Sequence, residues 1–356
     1  MKLKKRPILI VLIAGIGDII LSSRSIRAMR KGYPDVKIHL LTSPQAASIA
    51  QNYKYIDYVW SLPIREIKED KFHLLKILQI IRRLREIDFG VIINLYRVCT
   101  WMGAFEMGLL FMLLKGKIKI GHGNKGFNLF LDKKAPEDLF KRKHIVDAMV
   151  DMASLAGGIP DDRGIEIFFK KKKNSKWESL IYQNDQYALN IAINPGGARH
   201  NRRWSPLYYA QVADKMSEIY KCKIFILGGP GEEAIAKAVT DNMKKEAVNL
   251  SGQLTINDLI YFISRMDILI TNDSAPMHIA AATKTPVVAI FGPEDPRLFG
   301  PYTTLDLYRI VYKDLDCRPC KKKKCEKPIC LENITPEEVI EKCTEILKNQ
   351  YIDKLN

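Results

Sequence analysis

Apolar residues fall along this chain in short runs separated by amphipathic stretches. Residues 8–13 form a β-branched, leucine-rich run that ends at a glycine turn. DIILSSRSIRAMRKGYP follows at once, with Ile19, Ile20, Ser23, Ile26 and Arg27 at helical spacing before Pro34. The pattern predicts a strand, a turn and a helix, with Asp18 near the helix start. It repeats through VKIHLLTS, a helix from near Pro44, IDYVWSLP, the long helix HLLKILQIIRRLREI and the strand FGVIINLY. The order loosens over GNKGFNLFLDKK and resumes with the helix HIVDAMVDMASLAGG. Lysines and polar residues from about 170 to 186 read as a linker. A second series then runs from YALNIAINPGG through KCKIFILGGPGEEAIAKAVTDNM, NLSGQLTINDLIYFISRMD and ILITNDSAPMHIAAAT to TPVVAIFGPEDP. Such alternation argues for parallel sheets flanked by helices. The expected organisation is two α/β domains, residues 1–170 and 188–334, joined by a linker at 171–187, with a helix over 335–356.

With 356 residues and 47% hydrophobic content the chain is long enough for two cores. Its basic, apolar start imitates a secretory signal, but a helix follows directly where a polar mature start would stand, so a buried strand is expected there. WMGAFEMGLLFMLL is too short to span a bilayer and contains Glu106, which predicts a buried or interfacial helix. The net charge of +16 favours an anionic partner: nucleic acid, an acidic membrane surface or a phosphorylated substrate. Lysine runs such as FKKKKNSKW read as solvated surface. Of seven cysteines, Cys317, Cys320, Cys325 and Cys330 cluster in CRPCKKKKCEKPIC. That spacing suits a structural zinc site, a disulfide framework or reduced thiols alike. Cys99, Cys222 and Cys343 lie in or beside apolar segments and read as packing residues.

In open α/β domains ligands bind beyond the carboxyl ends of the strands. Three loops of the second series stand there. NPGGARHNRRW offers Gly196 and Gly197 for close backbone approach and Arg199, Arg202 and Arg203 as cations. GGPGEE offers Glu232 or Glu233 to ribose hydroxyls. NDSAPMHIAAA offers Asp273, Ser274 and His278 at a helix start. Together they suit a nucleotide diphosphate. In the first series GIGDII lacks the third glycine of a dinucleotide fingerprint and puts a carboxylate where a pyrophosphate needs positive potential, which disfavours a dehydrogenase. Asp18 is either a helix cap or a base.

The stretches GIGDIILSSRSIRAMRKGYPDVKIHLLTSP, NPGGARHNRRWSPLYYAQVADKM, ILGGPGEEAIA and DSAPMHIAAATKTPVVAIFGP, with the closing CLENITPEEVIEKC, resemble the heptosyltransferase family, the family 9 glycosyltransferases. The resemblance extends over nearly the whole chain. It implies an α/β GT-B fold, two Rossmann-like domains facing across a cleft, the first for the acceptor and the second for a nucleotide sugar, with the C-terminal helix packing back on the first. It implies Asp18 as catalytic base, and a donor site of Gly196, Gly197, Arg199, Arg202, Glu232 or Glu233, Leu254, Asp273, Ser274, Ala275 and His278. Gly17, Arg24, Arg97 and Lys125 fall to the acceptor side. Arg24 stands where the family commonly has proline, Ala275 where it has glycine, and the pair Arg202–Arg203 where a lysine is commoner.

The reading is therefore an inverting glycosyltransferase, needing no metal for catalysis, that moves heptose from ADP-heptose to an anionic lipopolysaccharide inner-core acceptor. It is expected as a monomer in the cytoplasm, peripheral to the inner membrane, with zinc at the cysteines as a structural option. A relative using another nucleotide sugar is the second reading. A zinc-stabilised nucleic-acid-binding protein is the third, and it leaves the three donor loops without a use.

Overall fold

The computed structural model describes residues 5–64, 72–98, 100–123, 128–170, 176–182, 189–320, 325 and 327–355. They form two compact units, 1–168 and 169–356. The first holds strands β1 (Ile8–Leu12), β2 (Ile38–Thr42), β3 (Tyr58–Ser61), β4 (Phe89–Asn94), β5 (Gly116–His122) and β6 (Lys133–Ala135) in the order β3-β2-β1-β4-β5-β6. The second holds β7 (Leu189–Asn194), β8 (Cys222–Ile226), β9 (Val248–Asn249), β10 (Ile268–Asn272), β11 (Val287–Phe291) and β12 (Tyr308–Tyr312) in the order β12-β11-β10-β7-β8-β9. All pairs are parallel. Each unit thus repeats the doubly wound order, with a switch point between β1 and β4 in one and between β7 and β10 in the other.

Residues buried on both faces explain why the central strands carry unbroken apolar runs. All five residues of β1, β10 and β11 are buried, as parallel strands covered by helices on both sides require. In the first unit Leu9 and Val11 of β1 meet Ile77 and Leu84 from the helix Phe72–Glu86 and Leu110 and Phe111 from the helix Trp101–Leu113. In the second, Ile191 and Ile193 of β7 meet Tyr209, Val212 and Met216 of the helix Pro206–Ile219.

One expectation about the domain edges changes. The segment expected as a linker contains a helix, Lys176–Tyr182, because Trp177 and Ile181 lie one turn apart and are both buried. The helix Pro336–Leu355 belongs to the second unit: Val339, Cys343, Ile346 and Leu347 are fully buried in the core built on β7 and β10. Just before it, the carbonyl of Ile334 accepts a hydrogen bond from the Trp204 indole at 3.1 Å. Burial also pushes the Cys343 thiol pKa far up, so this cysteine behaves as a packing residue. Cys222 is buried too, and Cys99 lies outside the described residues.

Candidate active site

At the second unit's switch point, Asn272 ends β10 with no exposure to solvent. Its amide nitrogen donates to the carbonyls of Pro195 (2.8 Å) and Gly196 (3.0 Å), and its oxygen accepts from the Trp204 backbone N–H (2.9 Å) and the Tyr209 hydroxyl (3.0 Å). One side chain therefore fixes both ends of the NPGGARHNRRW loop. A primary amide has two donors and an acceptor oxygen with two lone pairs, so its capacity is fully used.

The second staple is Glu232. Its carboxylate accepts from the backbone N–H of Gly197 at 2.6 Å and of Gly229 at 2.8 Å, joining the two glycine loops. A Cβ at Gly196 would come within 2.3 Å of this carboxylate, and Gly197 has φ of 148°, so both positions require glycine. Of the two acids proposed for ribose, Glu232 is thus committed to backbone amides, while Glu233 is exposed at the first turn of the helix Glu233–Asn242. Leu254 is half-buried one residue before the N-cap Thr255.

Ser274 is the N-cap of the helix Ala275–Thr283, and a Cβ built on Gly197 would lie 3.6 Å from its Cβ. The backbone N–H groups of this helix start therefore lie close to the glycine loop, the arrangement that binds phosphate oxygens. Ala275 is the first helical residue and has no positive φ, so alanine in place of glycine leaves the turn intact. His278 is buried one turn further on.

The cations are already engaged. Arg202 lies between two acids, Asp273 and Glu294, with Nη1 2.8 Å from Asp273 Oδ2 and Nη2 donating to Glu294 Oε1. The Asp273 contact lies off the N–H direction, leaving its Oδ2 without a hydrogen bond. Burial, with Glu294 adding to it, pushes Asp273 up to about 6 against the opposing pull of Arg202. Arg199 also donates to Glu294, at 3.1 Å, and Arg203 donates to the Gly197 carbonyl at 2.8 Å. Glu294 was not anticipated. FGPEDP marks a turn, and nothing local says that its acid meets arginines almost a hundred residues earlier.

The cysteine segment is tied to this same loop. Arg318 donates to the Glu294 carbonyl at 2.7 Å, and the Cys320 backbone N–H donates to the Pro293 carbonyl at 2.9 Å. Cys317, Cys320, Cys325 and Cys330 form no disulfide. Among the described residues no three His, Cys, Asp or Glu side chains are grouped to hold a metal ion. Cys317 and Cys325 are exposed, whereas Cys330 is buried beside Leu331 in the core.

In the first unit, Asp18 is the third residue of the helix Ile16–Leu21, directly beyond β1, and its Oδ2 accepts from the Gly15 N–H at 2.9 Å. It is half-buried beside the switch point. Gly17 precedes it in the same turn, and Arg97 follows the other switch-point strand, β4. Lys125 lies outside the described residues. Arg24, placed on the acceptor side by the resemblance, packs between two helices of the first unit. It is largely buried and donates to Asp147 at 3.2 Å and to the Asp161 carbonyl at 2.9 Å, holding the helix Ser23–Gly32 to the helix Ile145–Leu155. Arg27 adds ion pairs to Asp161 and Glu166 in the same seam.

Two nucleotide-type switch points in one chain, one furnished with glycines, arginines and a helix start, match what a sequence comparison finds independently. The description of glycosyltransferase family 9 (heptosyltransferase) fits residues 77–330. The chain belongs to this family.

A lipooligosaccharide heptosyltransferase 2 of Campylobacter jejuni subsp. jejuni serotype O:2 is 34% identical to the glycosyltransferase over 179 residues, 49% of this chain and 55% of that protein. The aligned part thus spans about half that relative's length. One from serotype O:6 is 25% identical over 337 residues, 93% of this chain and 96% of its own. The solved structure of Escherichia coli ADP-heptose LPS heptosyltransferase II has the same fold, with a TM-score of 0.72 at 17% identity over 97% of this chain and 99% of that one. The GT-B fold read from the sequence is thereby established.

Proposed function

We propose that this glycosyltransferase moves heptose from ADP-heptose to an inner-core sugar of a lipopolysaccharide acceptor, with inversion. The names of its relatives supply the sugar and the acceptor class. The observation that carries the donor reading is the stapled loop at the second switch point: Gly196 and Gly197 beside the start of the helix Ala275–Thr283, with Arg199 and Arg202 at its rim.

In this reading the carboxylate of Asp18 accepts the proton of an acceptor hydroxyl as that oxygen bonds to the anomeric carbon. The bond from that carbon to the β-phosphate oxygen breaks, and ADP leaves with the electron pair. Negative charge grows on the diphosphate, where helix N–H groups and arginine stabilise it. These groups supply the charge a divalent cation would otherwise bring, so catalysis is proposed to need none. The enzyme acts as a monomer at the cytoplasmic face of the inner membrane. Among the described residues no helix is long and apolar enough to cross a membrane.

The test is incubation with a panel of nucleotide sugars and a core-truncated glycolipid, followed by mass spectrometry. A heptose mass gained only with ADP-heptose is expected. Transfer from a different nucleotide sugar would replace the donor assignment, and steeply salt-dependent binding of RNA or DNA with no transfer would overturn the enzyme reading.

A second expected result concerns Arg202. Replacing it with alanine should weaken ADP binding roughly ten- to hundredfold, the scale of one or two charge-assisted hydrogen bonds, and should also lower turnover. Calorimetry with ADP on a variant shown by melting to be folded checks this. Unchanged affinity and turnover would leave Arg202 as a partner of Asp273 and Glu294 alone.

A further inference from the structure

The helix Trp101–Leu113 is apolar on nearly every side, yet half of it faces solvent. Its inner side, through Ala104, Gly108, Leu110 and Phe111, packs on the first unit. At about 100° per residue, Trp101, Met112, Phe105, Leu109, Met102 and Leu113 follow one another within an outward arc of roughly 120°. All six are exposed, Trp101 by 62%, Phe105 by 57% and Met112 by 66%, and the only charge on the helix is Glu106, at the edge of this arc. The helix Phe72–Glu86, which joins the same hydrophobic cluster, exposes Leu74, Leu75 and Leu78 over its first turns and Arg82, Arg83 and Arg85 over its last.

Single exposed apolar residues are ordinary, but a continuous apolar face of this size on a soluble surface marks an interaction site. We propose that these two helices form a docking surface for an anionic phospholipid bilayer. Charge complementarity selects the bilayer. Three arginines close one helix, exposed Lys115 and Lys117 follow the other, and the chain carries +16 overall. Cations beside bulky apolar side chains with a tryptophan among them are what an acidic headgroup layer over hydrocarbon accommodates. The proposal rests on the membrane-peripheral part of the function above and gives it a location. The bilayer-facing element lies on the unit that holds Asp18, where a lipid-anchored acceptor would arrive.

The experiment measures sedimentation of the full-length protein with vesicles, without nucleotide sugar, so that its outcome is separate from the transfer assay. Vesicles of phosphatidylethanolamine with about one-third phosphatidylglycerol should bind the protein, and pure phosphatidylcholine much more weakly. The double variant Phe105→Ser, Met112→Ser should lose about a hundredfold in vesicle affinity, roughly tenfold per buried side chain, with an unchanged melting curve. Trp101 is the exposed one of four tryptophans, so the blue shift of emission on vesicles should vanish in Trp101→Phe even if binding persists. Failure of the parent to bind anionic vesicles overturns the proposal, as does a double variant that binds equally well. A parent that dimerises in buffer through this face, and a double variant that does not, would also overturn it in favour of a second copy.

Discussion

Asp18→Asn should fold, melt near the parent temperature and bind ADP, while turnover falls roughly 10²–10⁴-fold, the usual range for loss of a general base. The amide keeps an oxygen where Oδ2 accepts from the Gly15 N–H, so the helix start is preserved. What it loses is the capacity to take a proton. Asp18→Ala removes the hydrogen bond as well and should cost a further 0.5–2 kcal/mol or about that of stability, the range for lost caps. Comparing the two variants by melting and by single-turnover transfer separates the roles. An asparagine variant with parental turnover would reduce Asp18 to a cap.

Asn272→Ala carries the largest expected loss of stability, about 3–5 kcal/mol. It strands the Trp204 N–H, the Tyr209 hydroxyl and the carbonyls of Pro195 and Gly196 in a buried setting without their partner. The summed penalties of four orphaned groups would exceed this range, and local relaxation with entry of water brings the figure down. ADP affinity should drop in parallel, because the glycine loop loses the amide that holds its carbonyls. Urea unfolding with ADP titration checks both. A loss below about 1 kcal/mol would show that Glu232 and the surrounding core hold the loop unaided. Asn272→Asp provides a sharper contrast: it retains an acceptor for Trp204 and Tyr209 but no donor for the two carbonyls.

The strands of both sheets were legible because each central one is a short β-branched run buried on both faces, and a glycine or a capping residue closes it. The helix over Pro206–Ile219 was equally plain, with Ser205 and Pro206 at its start. The glycine loops could be placed at strand ends for the same reason. Asn272 could not be recognised as their anchor, since its partners lie 63 to 77 residues earlier and only the parallel pairing of β10 with β7 brings them together. Glu294 and Arg24 follow the same logic, each defined by partners on a distant element. The Lys176–Tyr182 helix was obscured by the lysines around it. Its buried pair, Trp177 and Ile181, is too short a pattern to outweigh a strongly polar neighbourhood.

The packing of residues 334–347 bears on how this chain is synthesised. Ile334, Val339, Cys343, Ile346 and Leu347 are part of the core that also contains Ile191 and Trp204, so β7 and the helix after it wait for side chains made well over a hundred residues later. On the ribosome the first unit has all its strands and can close early. The second would remain an open sheet with an uncovered apolar face until those residues clear the exit tunnel. A nascent chain stalled at 333 should accordingly be protected from protease in its first half and cleaved throughout its second, and chaperone binding in that interval would fall on the donor unit.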